Sequence, residues 1–145
     1  MKTLVSILLL SSLVYAPLLV AGADLTASPN KSAVIENLAS GIQSDNEGLR
    51  VSSAIVMTEV IENALVKPGD FSSTLIPLLR MLDYGATDEE RIAAAVALYS
   101  IDSGIGIYRL RGSAKFDSSE KVRAVSKNLY YSYHTINHST YFLDF

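Results

Sequence analysis

His134 and His138 are the residues whose type and spacing come nearest to a reactive site, since four residues apart on a helix they would share one face and grip a transition metal. Two ligands are too few for a site. Asp144 would add a third only if the chain folded back, and no glutamate completes an H-E-x-x-H arrangement, so no metal is assigned. Nucleophilic catalysis has less to draw on, because the 145 residues include no cysteine and no G-x-S-x-G elbow. Gly104-Ile105-Gly106 is a fragment of a dinucleotide fingerprint, without the third glycine or the preceding strand, and reads as a linker between helices. The carboxylate pairs Glu59 with Glu62 and Glu89 with Glu90 fall on helix exteriors or first turns, where solvation and capping account for them. No catalytic residue and no cofactor follows from these patterns.

Charge is distributed more informatively than it is summed. Twelve basic and 15 acidic side chains give a net charge of −3, which gives no reason to expect nucleic acid. By region, residues 24–102 hold 5 basic and 12 acidic groups, whereas residues 103–145 hold 6 and 3. All six of those basic groups, Arg109, Arg111, Lys115, Lys121, Arg123 and Lys127, lie within 19 residues. A basic end on an acidic body suits an anionic partner, lipid head groups or the acidic end of a second copy. The same end is aromatic: Tyr130, Tyr131, Tyr133, Tyr141, Phe142 and Phe145 fall in the last 16 positions. They either cover the open end of the fold, with Tyr130 and Tyr133 inward, or face a partner, with Tyr141 to Phe145 the outward group. Together with Arg109 and Arg111 they are the candidate partner-binding residues.

Helical periodicity runs through the chain from Ser32 onward. Apolar residues recur at offsets of three and four in 32–42, 46–66, 72–84, 87–101, 105–116 and 119–133, with breaks at Pro68-Gly69, Gly85 and Asp102 to Gly106. Pro77 falls early in the third segment, where it would bend the first turn. No stretch alternates with period two, so the class is all-α, in three consecutive helix pairs over 32–133. A polar arm (24–31) precedes them and an aromatic tail (134–145) follows.

The pairs align on Arg50, Arg91 and Arg123. Four residues before each stands a good N-cap (Asn46, Thr87, Ser119), and three before each an acid (Glu47, Asp88, Glu120). Three residues after come the small Ser53, Ala94 and Ser126, and seven after the larger Met57, Leu98 and Tyr130. In these columns the sequence resembles the HEAT-like repeat family, with Leu75 to Ile101 as its best unit: a first helix around Leu75-Ile76-Pro77-Leu78-Leu79, a turn at Asp83 to Glu90, and a second helix from Arg91. The resemblance implies a short α-solenoid of about three stacked hairpins and a scaffold role. The aspartate that the family commonly sets four residues before the arginine is replaced here by Asn46, Thr87 and Ser119.

The first 23 residues are of another kind. Lys2 precedes an apolar run from Leu4 to Val20, and Ala21-Gly22-Ala23 fits signal peptidase, so residues 1–23 are expected to be a cleaved signal peptide and Asp24 the mature N-terminus. The expectation is an exported protein, periplasmic or secreted, whose mature form does not span a membrane. It would act without catalysis, by contact with another protein, and self-association is compatible with it. The alternatives are a metal- or envelope-surface-binding module built on the His/Tyr-rich end, and an accessory of the HEAT-like lyase type.

Overall fold

The computed structural model describes residues 29–136. Six α-helices follow one another: α1 (Pro29–Ile42), α2 (Glu47–Glu62), α3 (Leu75–Tyr84), α4 (Asp88–Ser100), α5 (Gly104–Phe116) and α6 (Glu120–Ile136), with a 3-10 segment (Pro68–Thr74) leading into α3. No strand occurs among the described residues, so the class is all-α as the periodicity predicts. The expected signal peptide and the residues beyond Ile136, including His138, Tyr141, Phe142, Asp144 and Phe145, lie outside the described residues.

Local chemistry explains where the helices begin and end. Asn46 and Thr87 have extended backbones, and their side chains accept the N–H of Leu49 and Glu90, respectively, so two of the three predicted N-caps are seen to act as such. Helix α1 starts at Pro29, inside the expected polar arm, because a proline in the first turn forfeits no helical hydrogen bond. Helix α2 stops at Glu62, short of the expected Val66. Ala64 turns left-handed (φ 56°), and the N–H groups of Leu65 and Val66 both return to the Val60 carbonyl, at 3.0 and 3.2 Å. Pro77 occupies the third position of α3, where the N–H is unpaired in any helix, and does not break it.

The helices pack as three hairpins, α1 with α2, α3 with α4 and α5 with α6. Helix α4 lies between α2 and α6 and touches both, while α3 reaches α5 and the 3-10 segment reaches α1. The central helix buries Ala93, Ala94, Ala95 and Ala97, whose small side chains let its neighbours come close. Met57, Phe71, Leu78, Leu82, Leu98 and Leu110 fill one continuous core around it. Glycine serves the same purpose at Gly41. There α1 crosses α2 so closely that a Cβ would stand 2.9 Å from the Ser53 Cβ and nearer still to its hydroxyl. No helix among the described residues is long and apolar enough to cross a membrane.

Candidate functional site

The three register arginines perform one structural task at the same offset. Arg50 Nη1 donates to the Ser44 and Asp45 carbonyls (2.8 and 3.0 Å), Arg91 Nη1 to the Gly85 carbonyl (2.7 Å), and Arg123 Nη1 to the Asp117 and Ser118 carbonyls (2.6 and 3.1 Å). Each guanidinium thus closes the turn inside its own hairpin. The remaining edge reaches forward. Arg50 Nε donates to Glu90 Oε1 at 2.5 Å, and Arg91 Nε pairs with Asp117 Oδ2 at 3.2 Å.

The acids at the starts of α2 and α4 form a second line of bonds between hairpins. Thr87 Oγ1 donates to Glu47 Oε1 (2.6 Å), and Ser119 Oγ donates to Asp88 Oδ2 (2.7 Å). Thr87 and Ser119 therefore bond between hairpins, each as donor to the acid of the preceding one, while Asn46 only caps its own helix. Asp88 also takes a hydrogen bond from Arg91 Nη2 at 2.8 Å. Glu90 is only 2% exposed, and its second oxygen accepts the Ala86 N–H at 3.0 Å. The hydrogen bond from Arg50 holds its carboxyl below the ordinary glutamate range against the opposing effect of burial, and the guanidinium is raised in turn. At α6 only the turn-closing contact of Arg123 recurs, with no carboxylate paired to it among the described residues.

The predicted partner-binding residues separate into three groups. Tyr130 is in the core at 5% exposure, edge-on to the His134 ring at 4.4 Å between centroids. Tyr133 packs against that core; burial and then the neighbouring Asp102, to which its hydroxyl bonds, raise its pKa. Asp102 is itself left-handed (φ 58°) in the turn between α4 and α5. Both tyrosines thus belong to the core or pack on it. Tyr131 is half-buried, edge-on to Tyr130 with the Lys127 ammonium 5.7 Å from its ring centre. Tyr141, Phe142 and Phe145 lie outside the described residues. His134 has no metal-like company, since no group of three His, Cys, Asp or Glu gathers among the described residues.

Arg109 and Arg111 stand on α5 among exposed aromatics. Tyr84 is 82% exposed, Tyr108 69% and Phe116 83%. Arg109 bonds Asp83 on α3, and this contact raises its pKa; Tyr84 and Tyr108 are near enough to act on it as well. Arg111 is half-buried and has no carboxylate partner among the described residues. The signal was available in the spacing, because Ile105, Tyr108, Gly112 and Phe116 recur on one face at offsets of three and four.

A second surface feature adjoins the first set of inter-hairpin bonds. A groove of about 570 Å³ runs between the end of α1 and the side of α3, lined by Gln43, Ile76, Pro77, Arg80 and Tyr84 and reaching the Arg50–Glu90 pair. Arg80 is exposed and unpaired among the described residues. Apolar contacts and a spare guanidinium therefore face the same space. The arrangement can hold an extended acidic segment. Comparison with known proteins found no matching family model, no matching curated protein and no matching solved structure.

Proposed function

We propose that the protein is a non-catalytic interaction module: HEAT-like hairpins stacked as a short α-solenoid, exported behind a cleaved signal peptide, that holds a segment of another protein. The observation that carries the reading is the use made of the charged groups. Arg50 with Glu90, Thr87 with Glu47 and Ser119 with Asp88 bond hairpin to hairpin, and Arg91 forms an ion pair with Asp117, a use of charged groups that supports a platform. The α1–α3 groove supplies the contact surface, with Arg80 for a carboxylate and Ile76, Pro77 and Tyr84 for apolar side chains.

A photo-crosslinking amino acid placed at Tyr84, with a second chain labelled at exposed Glu36 on α1, tests this in the cells that express the protein. Tyr84 should yield one discrete adduct that Arg80→Glu diminishes, and Glu36 should not yield it. No adduct at Tyr84, or the same adduct at both positions, refutes the groove as the contact.

A further inference from the structure

Helix α5 carries a surface that the groove does not use. Its 13 residues, Gly-Ile-Gly-Ile-Tyr-Arg-Leu-Arg-Gly-Ser-Ala-Lys-Phe, include three cations and no acid. The rest of residues 29–136 holds 8 basic and 13 acidic side chains, so a helix of charge +3 sits on a body of charge −5. At 100° per residue, Ile105, Tyr108, Gly112 and Phe116 share an arc flanked by Arg111 and Lys115 on one side and Arg109 on the other. The buried residues of this helix, Gly106, Ile107 and Leu110, lie on the other side.

Exposure sets this arc apart from ordinary surface. Ile105 is 59% exposed, and with Tyr108 and Phe116 it makes three of the eight large apolar side chains that stand out from the described residues. Gly112 leaves the space between the two rings empty, since a Cβ there would meet nothing within 4 Å. The result is a recess of about 350 Å³ with Tyr108 and Phe116 along it and Arg109, Arg111 and Lys115 around it. The nearest carboxylates are already committed, Asp83 to Arg109 and Asp117 to Arg91.

The geometry points to α5 as a docking face for an anionic phospholipid surface. Aromatic rings settle at the boundary between head groups and acyl chains, and the flexible stems of arginine and lysine carry their charges back to the phosphates. An amphipathic helix lying in that plane needs an apolar arc with cations along its edges and no free acid, which is the arrangement on α5. Each cation near such a surface adds about fivefold to partitioning. This surface is distinct from the α1–α3 groove, and the two assignments stand or fall separately.

The absence of tryptophan from the sequence makes a local test available. Chains carrying Tyr108→Trp, Phe116→Trp or, as a control on exposed apolar surface of α2, Leu49→Trp are mixed with vesicles of phosphatidylglycerol and phosphatidylcholine, and with phosphatidylcholine alone. The reporters read their own positions, so the apolar residues 4–20 do not enter the signal. Emission at 108 and 116 should move to shorter wavelength and be quenched by brominated acyl chains on the anionic vesicles only. The control at 49 should be unmoved, and Arg111→Gln should weaken the anionic binding about fivefold. Reporters at 108 and 116 that ignore anionic vesicles overturn the assignment, as does equal quenching at 49 or equal response to neutral vesicles. Should they instead respond to a protein partner and to neither vesicle, the face belongs to that protein and the lipid assignment fails.

Discussion

Glu90 concentrates the electrostatics of the molecule in one side chain. A carboxylate this deeply buried is stable only because Arg50 and the Ala86 N–H occupy both of its oxygens. Its folded-state pKa lies below the unfolded value, so its contribution is complete above the ordinary glutamate range near pH 4.3 and is lost as the pH falls through the folded value. Stability should therefore decline on the acid side, and Glu90→Gln should flatten that decline by up to about 1.4 kcal/mol per pH unit while lowering stability at neutral pH. Urea unfolding from pH 2.5 to 7 reads both effects. An unchanged acid slope in Glu90→Gln would mean that other carboxylates set it. The sequence revealed the arginine column because its offset from the turn is constant, but it concealed the acids. Arg50 finds its acid three residues into the next helix-start motif, at Glu90, whereas Arg91 finds Asp117 in the turn before one. A fixed-offset search cannot locate partners that move.

At the scale of elements, close helix approach depends on the smallest side chains. Gly41 lies against Ser53, the small residue of the first arginine column, and an added Cβ would displace the hydroxyl and press on the Ser53 Cβ at 2.9 Å. Gly41→Ala should lower stability by about 1–3 kcal/mol, as overpacking does. Ser53→Gly in the same chain should recover most of the loss, a coupling that a thermal-denaturation double-mutant cycle measures. Additive losses would place the contact elsewhere. Helix number and type were legible from the 3.6-residue period, and the breaks from Pro68-Gly69, Gly85 and Asp102. Gly104 to Gly106, expected as a linker, instead form the first turn of α5, where Gly106 is buried against Leu98. The end of α2 was not legible, because alanine at 64 carries no sequence signal for a left-handed backbone. The α5 face was written in the spacing of Ile105, Tyr108, Gly112 and Phe116, but the stronger concentration of aromatics from Tyr130 onward pointed to residues that, at Tyr130 and Tyr133, belong to the core.

For the whole molecule, the polar bonds between hairpins and the small-residue contacts act together. One hairpin leaves an apolar face exposed, so each depends on its neighbour, and the hydrogen bonds from Thr87 to Glu47, Arg50 to Glu90 and Ser119 to Asp88, with the Arg91–Asp117 ion pair, set the register of that dependence. Hairpins held in this way keep α3 and α5 in fixed relation. Native-state hydrogen exchange, comparing the wild type with Glu90→Ala, tests this coupling most directly. In the wild type, the slowest amides of α2, α4 and α6 should open with free energies within about 1 kcal/mol of one another. In Glu90→Ala, those of α2 should lose at least tenfold more protection than those of α6, by about 1.4 kcal/mol, as the first hairpin comes free. A wild type in which α2 already exchanges independently of α4, or a variant in which the difference between α2 and α6 does not change, would contradict it.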